Sequence, residues 1–353
     1  MGGGARRVGD LVLVVAAAVA LSLVFGAAGI PSPALFGGLV AGLGRAVGLP
    51  RTVALPGPAT TAGQAVIGVA MGSLIDVETL RAVAQNWLPV LLVTVATLAL
   101  SLGAGLVLRL QPGISPVTGA FSMIAGGASG IIAMARDLGA DERMVAVLQY
   151  LRVLLIVVLM PVAATVVYGA SSGDGVGAVV DDGPGWPAGL AFTVGCALVG
   201  LAVGTLCRVP VPALLGPMLA AAVADVTGIG GGAEVPGAVQ SAAFLVIGLQ
   251  VGVSFTRESL RTIGRALPLA LAVIGVLVVA SAGLGAVLSA TTGASLLDGY
   301  LATTPGGLYA VLATASDVGA DVTFVLSVQV LRLFVMLLSA PLVAARLRRR
   351  SGS

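Results

Sequence analysis

Residues 125–130 read AGGASG and lie inside an apolar stretch, where a continuous membrane helix would be expected. Each glycine costs a helix about 1 kcal/mol relative to alanine, so three glycines in six residues predict a break. A second glycine pair, Gly306-Gly307, lies in TTPGGLY at 303–309, about half the chain length after Gly126-Gly127. The recurrence predicts a duplicated chain with one broken segment in each half.

The composition around these breaks is typical of a membrane protein. Of the 353 residues, 58 % are hydrophobic and 9 % are charged, whereas about a quarter of the residues of a soluble domain are charged. Runs of about 20 apolar residues are long enough to cross the ~30 Å hydrocarbon core. We therefore predict a polytopic membrane protein, with the longest apolar runs at 11–30, 87–110, 143–168, 264–292 and 322–345.

Nearly the same spacing relates further motifs along the chain. PSPALFG at 31–37 returns as PVPALLG at 210–216, DLGAD at 137–141 as DVGAD at 317–321, and QYLR at 149–152 as QVLR at 329–332. A constant offset over several motifs is strong evidence for duplication. It predicts two membrane repeats, 11–168 and 187–345, with an N-terminus at 1–10, an acidic glycine-rich linker at 169–186 and a basic tail at 346–353.

The arginines predict the topology. Each repeat has six apolar segments, and if all six cross the membrane, nine arginines fall inside and seven outside. If the fifth segment of each repeat, 116–135 or 298–316, enters and leaves on one face, fifteen fall inside and only Arg81 outside. Because cytoplasmic loops are rich in arginine, we predict an all-α fold with two inverted repeats, each of five transmembrane helices plus one re-entrant segment, and both termini cytoplasmic.

The tips of the re-entrant segments are candidates for binding a solute. Glycines there allow close approach of backbone to a ligand, and half-helix N-termini favour anions near the midplane. The alternative is that these glycines serve only close helix packing. The candidate tip residues are Gly126, Gly127, Ser129, Gly130, Thr303, Thr304, Pro305, Gly306, Gly307 and Tyr309.

Two arginines lie near the middle of apolar runs. Arg152 and Arg332 each follow a glutamine, Gln149 or Gln329, by three positions, which puts the pair on one helix face. A charge at mid-bilayer costs about 2.5–3.5 kcal/mol and is a functional candidate. One interpretation is a structural arginine that caps carbonyls of the adjacent re-entrant loop, and the other is a guanidinium clamp for an anion. Both roles are compatible.

Other chemistry finds little support in the residue types. The chain has no histidine and only two cysteines, so we expect no metal, no cofactor and no enzyme activity. Gly139 and Gly319 suit helix C-termini, and Asp141 and Asp321 suit helix N-caps. A cation or proton role for Asp137 and Asp317 is the minor alternative.

The duplicated PxPALxG, the paired glycines, and DxGAD followed by QxxR resemble the membrane AbrB family over nearly the whole chain. That family comprises duplicated bacterial inner-membrane proteins and is unrelated to the small DNA-binding protein of the same name. The resemblance implies a multi-pass plasma-membrane protein, and the family's labels, regulator of gene expression or ammonia monooxygenase, are the alternatives. The re-entrant segments are similar in type to those of carboxylate transporters with inverted five-helix repeats.

The expected function is therefore a secondary transporter or exporter of a small anionic solute that works by alternating access. A regulator of gene expression without transport is the alternative, and a monooxygenase is disfavoured because the chain lacks histidine. The expected partners are the anionic solute and the lipid bilayer. We expect no direct contact with nucleic acid and keep a homodimer as an open alternative.

Overall fold

The computed structural model describes residues 2–28, 30, 32–48, 55–75, 77–125, 131, 135, 139–170, 185–209, 211–254, 264 and 266–351, and the regular elements in these ranges are all helical. In chain order the α-helices are α1 Gly2–Ala27, α2 Pro33–Gly48, α3 Gly57–Gly72, α4 Val77–Gln85, α5 Trp87–Val107, α6 Pro116–Met123, α7 Glu142–Val162, α8 Trp186–Leu206, α9 Pro212–Val226, α10 Gly237–Val253, α11 Leu267–Thr292, α12 Leu296–Thr303, α13 Leu308–Asp317 and α14 Val322–Ser351. A short 3₁₀-helix, Leu108–Leu110, follows α5, and a π-helical turn, Ala163–Val167, follows α7.

The all-helical class predicted from the apolar runs is confirmed. Six helical spans within the described residues are long and apolar enough to cross a membrane, which indicates a membrane protein. Helix α4 was not predicted, because its sequence VETLRAVAQ is amphipathic and too short to be found by hydropathy. The six spans are Gly9–Ala27, Trp87–Leu110, Glu142–Val167, Trp186–Leu206, Leu267–Thr292 and Val322–Ala340.

The compact units of the fold do not follow the two sequence repeats. One unit comprises 1–78, 169–256 and 312–323, and the other comprises 79–168, 257–311 and 324–353. Each unit therefore contains helices from both repeats. The first unit contains the first helices of each repeat, and the second unit contains most of the later helices of each repeat.

In the first unit, helices of one repeat pack closely on helices of the other. Helix α2 packs on α10 and α3 packs on α9. Glycines make these contacts possible, because a Cβ at Gly248 would meet the backbone of Leu35, and one at Gly68 would meet the backbone of Leu214. Backbones approach closely at such small residues in membrane helix pairs, so the repeats are interlocked within this unit.

In the second unit, the later helices form two equivalent hairpins. Helix α6 folds back on α5 and α12 folds back on α11, with Gly119 against Gly105 and Gly299 against Gly285. The short helices begin alike, since the side chain of Ser115 accepts a hydrogen bond from the backbone N–H of Thr118, as that of Ser295 does from Asp298. The two hairpins therefore have the same cap and the same glycine contact at equivalent positions of the two repeats.

Candidate functional site

Helix α12 ends at the second of the two predicted breaks. Thr304 leaves the helix with φ −56° and ψ 123°. This extended conformation is expected because Pro305 follows, and a proline disfavours the α-helical conformation of the residue before it. The hydroxyl of Thr303 donates to the carbonyl of Ser281 at 2.8 Å. Ser281 lies about three turns before the C-terminal end of α11. The end of α12 is therefore level with a point on α11 roughly 17 Å from the C-terminus of α11.

Helix α6 ends in the same way at the first break. Ile124 leaves it with φ −66° and ψ 122°, and Ile124 and Ala125 are buried. The two hairpins therefore break at equivalent positions. The predicted tip residues of the first repeat, Gly126, Gly127, Ser129 and Gly130, lie outside the described residues.

The glutamine–arginine pair of α7 caps the C-terminal end of α6. Gln149 Nε2 donates to the carbonyls of Phe121 at 2.6 Å and Ile124 at 2.8 Å. Arg152 Nη1 donates to the carbonyl of Met123 at 2.8 Å, and Arg152 Nη2 donates to Gln149 Oε1 at 2.9 Å. These bonds satisfy carbonyls that a helix end leaves unpaired.

The second pair does the same for α12. Gln329 Nε2 donates to the carbonyls of Leu301 at 2.8 Å and Thr304 at 3.2 Å. Arg332 Nη1 donates to the carbonyl of Thr304 at 2.7 Å, and Arg332 Nη2 donates to Gln329 Oε1. A cation at a helix C-terminus also interacts favourably with the helix dipole. The capping role that the sequence left as one of two interpretations is thus present in both repeats.

Capping leaves part of each guanidinium unused. Arg152 is 2 % exposed and Arg332 is 4 % exposed, and neither Nε atom has a hydrogen-bond partner among the described residues. The described residues also place no carboxylate in an ion pair with either arginine. Two buried positive charges with unused donors are suited to binding an anion.

The glycines of the second tip are packed against α7. A Cβ at Gly306 would meet Ile156 at 2.9 Å, and one at Gly307 would meet Val153 at 3.4 Å. Packing, the alternative weighed for the glycine pair, therefore accounts for Gly306 directly. At Gly307 the distance is an ordinary van der Waals contact, so this position tolerates a methyl group.

The remaining polar residues of the second tip divide into two groups. Thr303 and Thr304 are buried with their hydroxyls bonded to backbone, Thr304 Oγ1 to the carbonyl of Tyr300 at 2.6 Å. Pro305 is buried at the break. The hydroxyl of Tyr309 is buried without a hydrogen-bond partner in the described part of the chain, and it lies in the first turn of α13. Tyr300 stacks on Tyr168 with ring centroids 5.0 Å apart.

The DxGAD motifs act at helix ends, as predicted. Gly139 and Gly319 have φ of 77° and 67°, which suits a helix C-terminus. Asp141 accepts hydrogen bonds from the backbone N–H groups of Arg143 and Met144 as the N-cap of α7, and Asp321 directly precedes α14. Asp137 lies outside the described residues.

Three further polar residues lie near these features: Asp317, which the sequence offered only as a minor alternative, and Ser101 and Ser281, which the sequence analysis did not name. Asp317 is buried and accepts a hydrogen bond from the backbone N–H of Ser32. Ser101 and Ser281 are buried in α5 and α11. The signal for the serines was available, because SLGAG at 101–105 and SAGLG at 281–285 repeat at the same offset as the other motifs.

These features define a class of protein: a polytopic helical membrane protein whose repeated chain buries one capping arginine in each repeat. The family model described as "Transition state regulatory protein AbrB" matches residues 34–348, and the chain belongs to this AbrB family. The resemblance drawn from the motifs is thereby confirmed.

Two relatives extend along most of the chain. It is 34% identical over 332 residues to "Putative regulator AbrB" of Escherichia coli (strain K12), and the match covers 92% of each chain. It is 26% identical over 301 residues to "Uncharacterized protein YhjN" of Bacillus subtilis (strain 168), and this match covers 79% of the present chain and 76% of the relative.

Proposed function

We propose that the protein is a secondary transporter or exporter of a small anionic solute in the bacterial plasma membrane, without enzyme activity. The observation that carries this proposal is the pair of buried guanidiniums, Arg152 and Arg332, at the ends of two short helices that break alike. A buried charge is expensive in a membrane and is retained where it lines a solute or ion pathway. Helices broken near the midplane are the usual solute sites of transporters with repeats.

The helix lengths support re-entrant segments. Helices α6 and α12 have eight residues each and rise only about 12 Å, far less than the ~30 Å hydrocarbon core. Each turns back on a neighbour that is long enough to cross. Backbone that leaves a helix at this depth must be satisfied by protein, and the Gln–Arg pairs supply those bonds.

The arginine distribution supports inverted repeats with ten crossings and both termini cytoplasmic. In that topology the two re-entrant tips come from opposite faces and meet near the midplane. Besides the six long spans, α2, α3, α9 and α10 would cross, which their 15–17 residues permit at roughly 24 Å if the bilayer thins locally. Alternating access would then expose the tips to one face of the membrane and afterwards to the other.

Regulation of gene expression is the second candidate. It is favoured by the name of the Escherichia coli relative, "Putative regulator AbrB". In this alternative the anion would be a signal, and its binding at the arginines would alter a partner protein. No direct contact with nucleic acid is proposed.

Flux measurements in proteoliposomes test the transport proposal. A panel of radiolabelled organic and inorganic anions identifies a moving solute, and Arg152→Gln and Arg332→Gln should then lower its flux about 10- to 100-fold. This range follows because a hydrogen bond to a charged group contributes about 1.5–3 kcal/mol, and about 1.4 kcal/mol corresponds to a factor of ten. Arg109→Gln is the matched control, since Arg109 is exposed after α5, and it should keep normal flux.

A second variant separates loss of transport from loss of folding. Gly307→Ala places a methyl group at ordinary contact distance from Val153, so the protein should fold normally, and a lowered flux would then come from the tip itself. Normal flux in all the arginine variants would overturn the site, and no flux for any anion would overturn transport. If the wild-type protein restored the gene expression of a deletion strain while moving no anion in proteoliposomes, regulation would be the function.

A further inference from the structure

Among the described residues, no carboxylate balances the two positive charges of the candidate site. Arg152 and Arg332 belong to the same compact unit. Arg332 caps the tip that ends α12, and a Cβ at Gly307 of that tip would meet Val153, the chain neighbour of Arg152, at 3.4 Å. No carboxylate of the described residues pairs with either. Like charges brought together in a medium of low dielectric are strongly destabilising unless counter-charges accompany them.

Helix dipoles do not replace those counter-charges. The C-terminus of α12 carries a partial negative charge of about one half, which Arg332 contacts. The N-terminus of α13 begins at Leu308, only a few residues further on, and carries a partial positive charge of similar size. Because these partial charges oppose each other in the second repeat, the full charge of the guanidinium remains to be balanced.

Four of the buried polar atoms without partners form two equivalent pairs. Besides the two arginine Nε atoms, the hydroxyls of Ser101 and Ser281 are buried without a hydrogen-bond partner in the ranges described. The residues are 0 % and 1 % exposed. Buried polar side chains are nearly always hydrogen-bonded, and exceptions point to a bound water, ion or functional role.

Ser101 differs from its polar neighbours on the same helix. Thr94 and Thr97 of α5 donate to carbonyls of their own helix, each at 2.7 Å, which is the usual way for such hydroxyls to be satisfied. Ser101, one turn further along α5, makes no such bond in the described part of the chain. Its hydroxyl is therefore free to donate to a ligand.

The serines are connected to the arginines through the short helices. The carbonyl of Ser281 accepts the Thr303 hydroxyl at 2.8 Å, and the carbonyl of Thr303 accepts Arg332 Nη1 at 3.4 Å. In the first repeat, Met123 stands where Thr303 stands in the second, and its carbonyl accepts Arg152 Nη1. In both repeats the serine lies one turn before a glycine that contacts the short helix, Gly105 on Gly119 and Gly285 on Gly299. Serine and guanidinium are therefore both placed near the end of that helix.

We propose that the site takes an anion with two negative charges, such as a dicarboxylate, held by Arg152 and Arg332 and by hydrogen bonds from Ser101 and Ser281. The inference rests on the proposed function and adds the class of solute to it. One arginine and one serine from each repeat match the two ends of such a ligand. A guanidinium N–H and a hydroxyl both donate to carboxylate oxygens.

Binding to the purified, detergent-solubilised protein tests this without a transport assay. Isothermal titration compares succinate with butyrate, which has the same number of carbon atoms and one carboxylate, at a pH where both are ionised. Succinate should bind at least about tenfold more tightly, and Ser101→Ala and Ser281→Ala should each weaken succinate binding about fivefold. The serine variants should keep or gain thermal stability, because they remove a buried hydroxyl that lacks a partner.

Thr97→Val is the matched control on α5. Its hydroxyl is already bonded, so the variant should lose some stability and keep its affinity for succinate. Equal binding of butyrate and succinate would overturn the two-charge inference while leaving anion transport standing. Unchanged affinity in both serine variants would overturn the role of the serines. Tight succinate binding without flux in proteoliposomes would support the ligand class and overturn transport alone.

Discussion

Asp317 is a buried carboxylate that the proposed solute site does not use. It lies at the end of α13, is 8 % exposed and accepts a hydrogen bond from the backbone N–H of Ser32. Burial raises the pKa of the Asp317 carboxyl, and the hydrogen bonds with Ser32 oppose that rise. No charged group among the described residues contributes to the shift. Ionising this aspartate therefore weakens the folded state.

The sign of this effect predicts how stability depends on pH. A carboxyl whose pKa is raised by folding contributes stability below its unfolded pKa, about 3.9, and this contribution is lost as pH rises through the folded value. Wild type should lose thermal stability relative to Asp317→Asn as pH rises from about 4, and most of the loss should be complete above the folded pKa. Melting curves in detergent between about pH 4 and pH 8 would measure this.

Asp321→Asn is the control for that titration. Asp321 is exposed and lies four residues after Asp317, directly before α14. Asparagine is as good as aspartate at such an N-cap position. Its melting curves should follow those of wild type across the range. If Asp317→Asn also ran parallel to wild type, the Asp317 carboxyl would have its ordinary pKa and the interpretation would be wrong.

Single residues also show where sequence reasoning stops. Gln149, Arg152, Gln329 and Arg332 were found from their spacing and their polarity inside apolar runs. Their partners could not be found in this way, because the groups they cap are backbone carbonyls, which carry no signature in the sequence. The choice between capping and anion binding needed the hydrogen bonds, which use the Nη atoms and leave Nε without a protein partner in the described ranges.

At the scale of helices, glycine-mediated contacts set how closely the first unit packs. The pair α2 and α10 is closest at Gly248, where a Cβ would lie well inside 3.0 Å of the Leu35 backbone. Backbone has little freedom to move away. Extra methyl groups in a packed interior typically cost about 1–3 kcal/mol, so this glycine should be intolerant of even the smallest side chain.

Gly248→Ala should therefore lower the free energy of unfolding by about 1–3 kcal/mol or more. Gly275→Ala is the matched comparison, because Gly275 lies inside α11 and a Cβ there meets nothing within 4 Å. That variant should be neutral or stabilising by up to about 1 kcal/mol, the difference in helix propensity. Thermal unfolding of both proteins in the same detergent would decide, and equal stability would contradict the packing argument.

Helix ends were predictable where local chemistry fixes them. Pro305 and the glycine pair mark the end of α12, and Ser295 with Asp298 forms the capping box at its start. The π-helical turn at Ala163–Val167 was not foreseen; it follows Pro161, and a proline inside a helix is a common cause of such irregularity. Helix α4 was missed because a short amphipathic segment gives no hydropathy signal.

At the scale of the whole molecule, the duplication could be predicted from the sequence, but the division of the helices between two compact units could not. The nearly constant offset pairs the motifs, and the two equivalent hairpins of the second unit follow it. The division of each repeat between two compact units depends on which helices pack together. That packing is determined by contacts such as Gly68 with Leu214, between residues far apart in the chain.

The proposed inversion of the repeats makes a prediction that two positions decide. Asp141 and Asp321 are equivalent, exposed, and directly precede α7 and α14. In inverted repeats they lie on opposite faces of the membrane, Asp141 in the cytoplasm and Asp321 outside. Single cysteines at each, with Cys196 and Cys207 replaced by alanine, would report their sides to a membrane-impermeant maleimide on intact cells.

Asp321→Cys should react from outside, and Asp141→Cys should react only after the membrane is permeabilised. Ala188→Cys, at the exposed start of α8, follows the acidic linker and should also react from outside in the same topology. Each substitution removes an aspartate from an N-cap position and should cost about 1 kcal/mol of stability. Because the expected loss is the same in both aspartate variants, it cannot explain a difference in labelling between them. If both positions reacted from the same face, the repeats would be parallel, and the two short helices could not approach the midplane from opposite sides.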